Sequence, residues 1–295
     1  MSGAHHRILI GTPTFAARGD GMRRQAACVA SLQALDRAEA VNVQFVQDPH
    51  HADGVETLSA LCNTSNSLSG RAGPSKPDVS EIFAVLAAEA VRRGIPLFCF
   101  TNGDIIVSQR AVDWMLSTPK DTFVFSRENF DGPSGESRGM ELAGTDVFAM
   151  TVRWWESNAH RFRRYLLGEG GFDNIYTAIM MCHSDGVIEN RRPLVRHEVH
   201  QPGPMPSPHF GEYIRRLCAL DAQYFTCWCR YWDGLGRMRR DGGSAEEEAA
   251  WAREAFTWNP SPREALVQRA RNVKAHLRYW WWRRKPSSRS VRSEE

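Results

Sequence analysis

The chain has 295 residues, a formal net charge of +3, and 42% hydrophobic and 24% charged residues. These values are ordinary for a folded globular protein and exclude a largely disordered chain. The length suits one α/β domain, alone or with a helical appendage. Residues 263 to 292 are rich in Arg and Lys, so we expect an anionic partner to meet the C-terminal end.

Cysteine usage and hydropathy predict a cytoplasmic protein. The seven cysteines are odd in number, scattered and mostly set in apolar sequence, which is not the pattern of a disulfide framework. Cys227 and Cys229 are one residue apart with no second pair nearby, so we expect buried thiols there rather than a zinc site. The sequence has no signal-peptide core and no apolar run of about 18 residues.

The first hundred residues alternate between strand-like and helix-like patterns. Short apolar runs predict three strands, at residues 7–11, 41–46 and 95–100. Apolar residues at helical spacing predict two helices, at residues 22–35 and 79–90. Residues 63–77, rich in Ser, Gly, Asn and Pro, predict a long loop. Strand, helix and strand in this order indicate a parallel βαβ unit.

The third predicted strand ends in Asn102-Gly103-Asp104, after which apolar character resumes. A hard divalent cation prefers carboxylate oxygen on a rigid support, and ligands of open α/β sheets gather at the carboxyl ends of strands. Asp104 is therefore predicted to bind a metal ion. The alternative is that Asn-Gly-Asp forms only a turn, which its composition also suits.

The rest of the chain predicts one mixed sheet covered by helices, followed by helices alone. Further strands are expected at residues 122–125, 146–150, 187–188 and 194–195, with a polar, flexible stretch at 127–139. Helices are expected at 154–167 and through 179–182, and only helices from about residue 207. The predicted organisation is a catalytic domain at 1–206, a helical extension at 207–285 and a disordered basic tail at 286–295.

Motifs in this order resemble the GT-A superfamily of nucleotide-diphospho-sugar glycosyltransferases, of the family 2-like kind. Pro13-Thr14-Phe15, followed by Arg23 and by Ser31-Leu32-Gln33-Ala34-Leu35, resembles the opening of that superfamily. Asn102-Gly103-Asp104 resembles its DxD motif with the first acid replaced by Asn. The resemblance covers residues 7 to 201. It implies a GT-A, Rossmann-like mixed sheet flanked by helices, here with a C-terminal helical extension.

The resemblance implies a glycosyltransferase that moves a sugar from a nucleotide-diphosphate donor to a glycan or lipid-linked acceptor. Mn²⁺ or Mg²⁺ would neutralise the charge that develops on the departing diphosphate. Two alternatives stay open: a nucleotidyltransferase, whose sheet and metal use are similar, and a non-catalytic nucleotide-sugar-binding homologue, which the neutral Asn102 suggests. Nucleic acid is not an expected partner, because no recognisable binding module accompanies the basic segment.

The resemblance also assigns roles to particular residues. Asp104 and His200 are the predicted metal ligands, with His197 as the alternate to His200. An acceptor hydroxyl needs a general base, and Asp173 at the head of a helix resembles the base of inverting enzymes. Helix capping is the alternative role for Asp173. Asp146, the second catalytic candidate, resembles a residue lining the acceptor and the donor sugar.

The residues expected to contact the nucleotide sugar lie in loops and at strand ends. Asn102 would supply a neutral oxygen or a ribose contact, and Asp48 would contact the base or ribose. For the cationic members of the set, the alternative is solvated loop charge. The full predicted set is Thr12, Pro13, Arg23, Asp48, Lys76, Asn102 and Gly144.

The C-terminal segment predicts a long amphipathic helix. Its apolar residues follow one another at steps of three and four, at Leu266, Ala270, Val273, Leu277 and Trp280. Residues 279–285 join aromatic side chains to cations, a combination that suits an anionic membrane surface. The alternative is that the tryptophans pack on the catalytic domain. The favoured location is therefore cytoplasmic and peripheral at the inner face of the membrane.

Overall fold

The computed structural model describes residues 6–132, 134–200, 208–257 and 262–284. The predicted tail at 286–295 and the predicted domain boundary at residue 206 lie outside these ranges. The chain divides into two compact units. The first comprises residues 1–62, 79–163 and 179–202, and the second comprises residues 63–78, 164–178 and 203–295.

The first unit contains a mixed sheet of nine strands within the described residues. They are β1 (Ile8–Thr12), β2 (Ala38–Phe45), β3 (Glu56–Leu61), β4 (Leu97–Thr101), β5 (Ile105–Val107), β6 (Thr122–Phe130), β7 (Ser137–Thr151), β8 (Val187–Glu189) and β9 (Val195–Glu198). Their order is β3-β2-β1-β4-β7-β6-β9-β5, and β8 also pairs with β6. Strands β3, β2, β1 and β4 run parallel, whereas β7 is antiparallel to both β4 and β6.

The described helices are α1 (Asp20–Gln33), α2 (Ser65–Ser69), α3 (Val79–Arg93), α4 (Gln109–Ser117), α5 (Val152–Asn158), α6 (Phe172–Cys182), α7 (Gly211–Leu220), α8 (Ala222–Arg240), α9 (Ala245–Ala255) and α10 (Pro262–Arg284). Helices α1, α3, α4 and α5 belong to the first unit, and α2 and α7–α10 to the second, while α6 runs from one into the other. The predicted class, a mixed α/β sheet flanked by helices with C-terminal helices, is confirmed. Within the described ranges, no helix has both the length and the apolar character of a membrane span.

The polar stretch at 127–139 is not one continuous loop, because residues 127–130 belong to β6 and residues 137–139 belong to β7, so that prediction is wrong for both ends of the stretch. These residues form the end of the β-hairpin between β6 and β7, in which Arg127 lies opposite Glu141 and Asn129 opposite Gly139. Glu128 accepts hydrogen bonds from Ser137, at 2.6 Å, and from Arg196 of β9, at 2.8 Å. Cross-strand polar pairs of this kind stabilise the polar part of β6. That part lacks the alternation of apolar residues from which a strand is predicted.

Other element boundaries also differ from the sequence-based expectation. The helix predicted at 154–167 ends at Asn158, where the Asn158 Nδ2 donates to the Trp154 carbonyl at 2.9 Å, and a short 3₁₀ turn, Ala159–Arg161, follows. Strand β3 and the short helix α2 were not predicted. Helix α2 lies within the predicted loop and begins with a capping box in which Thr64 and Ser67 exchange hydrogen bonds.

An aromatic cluster joins α3 to the sheet in the first unit. Phe83 of α3 is fully buried, and its ring centroid lies 5.5 Å from that of Phe100 on β4 and 6.1 Å from that of Phe148 on β7. Trp155 and Phe162 complete the cluster, with centroids 5.7 and 5.9 Å from Phe83. Buried rings in edge-to-face and tilted contact fix neighbouring elements tightly. The cluster therefore anchors β4, the strand that leads to Asp104.

Candidate metal centre

In the first unit, the pairing of three strands brings Asp104 and His197 together and places Asn129 next to His197. Asp104 lies in the turn between β4 and β5, one residue before Ile105. Ile105 pairs with His197 of β9, and His197 pairs on its other side with Asn129 of β6. Neighbouring strands lie about 4.8 Å apart, so this register places Asp104, His197 and Asn129 side by side.

The carboxylate of Asp104 lies between two imidazoles. Its Oδ2 is 3.2 Å from His200 Nε2 and 3.6 Å from His197 Nε2, and one ligand atom from each residue lies within 4.8 Å of the others. Burial raises the pKa of Asp104, but hydrogen bonds with His197 and His200 outweigh burial and hold that pKa well below its usual value. The carboxylate is therefore ionised and available as a ligand.

This donor set fits a divalent cation. A carboxylate oxygen with two imidazole nitrogens is a combination that binds Mn²⁺ and other first-row ions. His197 Nδ1 lies 3.3 Å from Asn129 Oδ1; a proton on Nδ1 would be donated to that oxygen and would leave Nε2 free to bind a cation in place of its contact with Asp104. The side chains of Asp104 and His200 are 29% and 31% exposed, so the ligand set is open to a bound molecule on one side.

An ion pair between a buried carboxylate and a half-exposed guanidinium anchors the segment that carries both histidines. Glu198, next to His197, is 7% exposed and accepts hydrogen bonds on both carboxylate oxygens from Arg23 of α1. The Nη1 to Oε2 distance is 2.6 Å, and the hydrogen bond lowers the pKa of Glu198. Arg23 was predicted to contact a diphosphate. Here it is committed to a carboxylate two residues from His200, where it positions the ligands.

Asn102 and Asp146 form a second polar pair beside the centre. Asn102 Nδ2 donates to Asp146 Oδ1 at 2.6 Å, and the Asn102 backbone N–H donates to the Asp146 carbonyl at 3.2 Å. Arg127 forms an ion pair with the other carboxylate oxygen of Asp146. The Asn102 side-chain oxygen is buried and has no hydrogen-bond partner within the described residues. Asn102 thus ties the turn before Asp104 to β7.

Gly144 makes room for the guanidinium that pairs with Asp146. A Cβ at Gly144 would lie 2.9 Å from Arg127 Nε and 2.9 Å from Glu141 Cγ. Any larger residue would therefore displace Arg127 from its position beside Asp146. Packing against Arg127 and Glu141 therefore explains why a glycine is found at position 144. The predicted contact of Gly144 with the nucleotide sugar stays a prediction.

The turn that carries Asp104 packs closely against the loop after β1. A Cβ at Gly103 would lie 2.6 Å from the carbonyl oxygen of Pro13, closer than non-bonded atoms approach. Thr12, the last residue of β1, is fully buried, and its Oγ1 lies 4.0 Å from Cys28 Sγ. Thr12 and Pro13 therefore support the backbone of the metal centre from beneath.

A buried amide network, which the sequence did not predict, fixes the loops after β1 and β2. Asn42 Oδ1 accepts from the Thr14 N–H and hydroxyl, both at 3.1 Å, and Gln44 Nε2 donates to the Thr14 carbonyl at 2.7 Å. The His50 N–H donates to Gln44 Oε1 at 3.1 Å. The sequence signal for this network is the presence of two amide side chains, Asn42 and Gln44, at alternate positions of an otherwise apolar strand. Asp48 lies exposed in the loop that the network holds.

Two predicted site residues belong to the second unit. Lys76 Nζ lies 2.7 Å from Glu169 Oε1 and 3.2 Å from the Gly168 carbonyl oxygen, and Glu169 is fully buried. A buried carboxylate requires such a partner, so Lys76 serves to neutralise Glu169. Asp173 is half-buried in the first turn of α6, where a negative charge complements the helix dipole.

Within the first unit, the structure joins the two predicted metal ligands and adds the alternate to them. Sequence reasoning offered His197 in place of His200, whereas both lie against Asp104. Asn129 was missed because it falls in the stretch expected to be a loop. Glu198 was missed because its partner, Arg23, is 175 residues away.

The similarity of this chain to known proteins is a similarity of fold alone. No family model matches the chain. No curated protein sequence matches it either. Nucleotide-sugar glycosyltransferases are among the solved structures that the fold resembles. TarS 1–349 of S. aureus, in complex with UDP-GlcNAc, is 12% identical over 92% of this chain and 89% of that chain, with a TM-score of 0.49.

Two further solved structures are similar at a lower level. Mannosyltransferase PcManGT from Pyrobaculum calidifontis, in complex with GDP-Man and Mn²⁺, is 11% identical over 93% of this chain and 87% of that chain, with a TM-score of 0.34. A cytidylyltransferase from Leptospira borgpetersenii is 9% identical over 86% and 98% of the two chains, with a TM-score of 0.33. At these values the likeness concerns the α/β fold alone.

The first prediction concerns the carboxylate of the centre. Asp104→Asn keeps the size of the side chain and removes its charge, so Mn²⁺ should bind about 100-fold more weakly. Titration calorimetry of the purified protein measures the affinity. Asp48→Asn, which removes an exposed carboxylate of the same unit, should bind Mn²⁺ as the unchanged protein does. Equal affinities of the two variants would contradict the metal centre.

The second prediction concerns the turn before Asp104. Gly103→Ala must displace the Pro13 carbonyl, which should cost about 1–3 kcal/mol in the free energy of unfolding and weaken Mn²⁺ binding. Gly236→Ala on α8 is the matched control, because a Cβ there would meet no atom of the described residues, outside its own helix backbone and chain neighbours, closer than Arg240 Nη1 at 3.7 Å. Denaturant unfolding measures both. A Gly103→Ala protein as stable as the control would show that the turn moves freely.

Proposed function

We propose that the protein is a divalent-metal-dependent glycosyltransferase that moves a sugar from a nucleotide-diphosphate donor to a glycan or lipid-linked acceptor. The observation that carries the proposal is the meeting of Asp104, His197 and His200 just beyond the carboxyl end of β4. Ligands of open α/β sheets bind beyond the carboxyl ends of their parallel strands. A diphosphate leaving group needs positive charge at that place.

The residues of the centre would hold the ion and leave part of its coordination sphere for the substrate. Asp104, His197 and His200 would supply three ligand atoms, fewer than the six that Mn²⁺ takes when bound by oxygen-rich sites. The bound cation would supply Lewis-acid neutralisation of charge on the diphosphate oxygens. With a cation bound at Nε2, His197 would donate its Nδ1 proton to Asn129 Oδ1, and the Glu198–Arg23 pair holds the histidine segment against α1.

Between the two predicted cations, the ligand set favours Mn²⁺. Mg²⁺ prefers an all-oxygen, octahedral shell and gives up its water reluctantly, whereas Mn²⁺, as a first-row transition ion, accepts imidazole nitrogen more readily than Mg²⁺ does. Two of the three side chains of this centre are imidazoles. Asn102 does not add an oxygen in the observed rotamer, since its amide nitrogen is bonded to Asp146 and its oxygen is buried.

Between the two catalytic candidates, we propose Asp173 as the general base. Both carboxylate oxygens of Asp146 already accept hydrogen bonds, one from Asn102 and one from Arg127. Those contacts commit the Asp146 carboxylate to holding β7 against Asn102 and against Arg127 of β6. Asp173 is half-buried in the first turn of α6, the helix-head position that resembles the base of inverting enzymes.

Among the expected donor contacts, we propose that the charged residues have different roles. Asp48 is exposed at the carboxyl end of β2 and would accept hydrogen bonds from a ribose. Arg23 and Lys76 are already paired with the buried carboxylates Glu198 and Glu169, so they would act by holding structure rather than by contacting the diphosphate. Thr12, Pro13 and Gly144 would act through backbone placement.

The third prediction tests the function itself. The purified full chain, screened against nucleotide-diphosphate sugars with different bases, should be stabilised by at least one of them in the presence of Mn²⁺ and not in its absence. Thermal unfolding measures binding, and release of nucleoside diphosphate measures transfer to water. The Asp104→Asn protein is the control and should show neither effect.

Other results of that screen would separate the alternatives. Formation of a nucleotide sugar and pyrophosphate from a nucleoside triphosphate and a sugar phosphate would identify a nucleotidyltransferase. Binding of a donor without any release of nucleoside diphosphate would identify a non-catalytic homologue. The absence of stabilisation by every nucleotide tested would overturn the proposed function.

The fourth prediction concerns the base. Asp173→Asn should keep the affinity for the donor and lower the rate of donor hydrolysis by about 100-fold or more, because removal of a general base typically costs that much. Asp146→Asn should instead disturb the Arg127 and Asn102 contacts and reduce thermal stability. Unchanged hydrolysis by the Asp173→Asn protein would exclude Asp173 as the base.

A further inference from the structure

Helix α10 has one side that contacts its own unit. Its residues of intermediate burial are Asn272, Ala275, Tyr279 and Trp282, at steps of three and four. The Trp282 ring centroid lies 6.0 Å from that of Tyr213 on α7. Arg216 of α7 donates to the Arg278 carbonyl at 3.0 Å and stacks over the Trp282 ring at 5.5 Å. These contacts fix which side of α10 faces the second unit.

The other side of α10 carries an exposed apolar stripe, which we define as Leu266, Val273, Leu277 and Trp280. The members are between 52% and 69% exposed. At about 100° per residue, the stripe occupies a sector of about 60°, roughly 150° from the side that contacts α7. Trp281, 54% exposed, lies at its edge. A helix in a water-soluble unit normally turns such a stripe inward.

The charge of α10 is strongly positive. Between its first and last residues the helix carries seven Arg and Lys side chains and one Glu. The cations that are exposed are Arg263, Arg269, Arg271, Lys274 and Arg278. Long basic side chains can lie along apolar surface while their charged ends stay in water. Both an apolar layer and a layer of negative charge would therefore be complementary to this helix.

We propose that the stripe of α10 docks into the interface of an anionic lipid bilayer, with the helix lying parallel to the membrane plane. An amphipathic helix with basic flanks and tryptophan in its apolar sector binds such surfaces by burying the apolar residues below the headgroups. A second copy of the chain is a poorer occupant, because two helices with seven cations each would repel. A nucleic acid would meet the charge and leave the stripe in water.

This docking is independent of the proposed transfer reaction, since it requires neither donor nor metal. The two exposed aromatic residues, Trp280 and Trp281, suit the boundary between headgroup and acyl chain, where an amphipathic ring has both an apolar and a wet side. Trp282 instead packs in the second unit. Trp282 therefore packs on α7, inside the predicted helical extension, and Trp280 and Trp281 take the membrane role in this proposal.

The fifth prediction tests the docking by vesicle flotation of the full chain, without nucleotide or metal. The protein should float with vesicles of phosphatidylcholine mixed equally with phosphatidylglycerol and not with phosphatidylcholine alone, and added salt should weaken the binding. The double variant Val273→Asp/Leu277→Asp should bind the anionic vesicles at least about tenfold more weakly than the unchanged protein. Val91→Asp makes the same change at an exposed apolar residue of α3 and should bind normally.

A second variant keeps the test decisive if the aspartates disturb the helix. Arg269→Gln/Lys274→Gln leaves the stripe intact and should lower both the binding and its dependence on salt. Binding of both double variants equal to that of Val91→Asp, or no binding to the anionic vesicles at low salt, would overturn the docking. A dimer in light scattering that the aspartates abolish would assign the stripe to a second copy, which also overturns it.

Discussion

The centre depends on the carboxylate of Asp104 being held between two imidazoles, and that arrangement depends on the register of three strands. A shift of one residue in β9 would turn His197 to the opposite face of the sheet and would move Asn129 out of reach. The aromatic cluster around Phe83 fixes β4. The Glu198–Arg23 pair fixes the C-terminal end of β9, next to His197, against α1. These contacts all serve to keep two histidines against one carboxylate.

The neutral residue in the DxD-like motif has a physical consequence for the centre. A second carboxylate at position 102 would bring like charge beside Asp146, which is buried and already needs Arg127 to neutralise it. Asn102 donates a hydrogen bond to that carboxylate instead. His197 and His200 are the other two side chains that could hold a cation, so a motif that looks incomplete in sequence contributes Asp104 to a candidate set of three ligands in space.

Local patterns predicted the fold class and the position of Asp104 because both depend on short-range signals. Alternating strand and helix patterns identify an α/β sheet, and an acid after a buried strand needs no knowledge of its partners. Asn129 and Glu198 were beyond reach for a different reason. Their roles arise from pairing between segments 68 and 175 residues apart, and the polar composition after Phe125 conceals that β6 continues to Phe130.

The long separation between the ligands has a consequence for folding. His200 and Asp104 are 96 residues apart, so the centre closes a long loop and forms only when β9 has joined the sheet. The unfolded chain would have to lose much entropy to bring the same groups together. A cation that binds the folded chain alone therefore acts as a reversible cross-link, whose stabilisation rises with the logarithm of metal concentration. The concentration of metal ion would then affect the free energy of unfolding of the sheet, in addition to any part in catalysis.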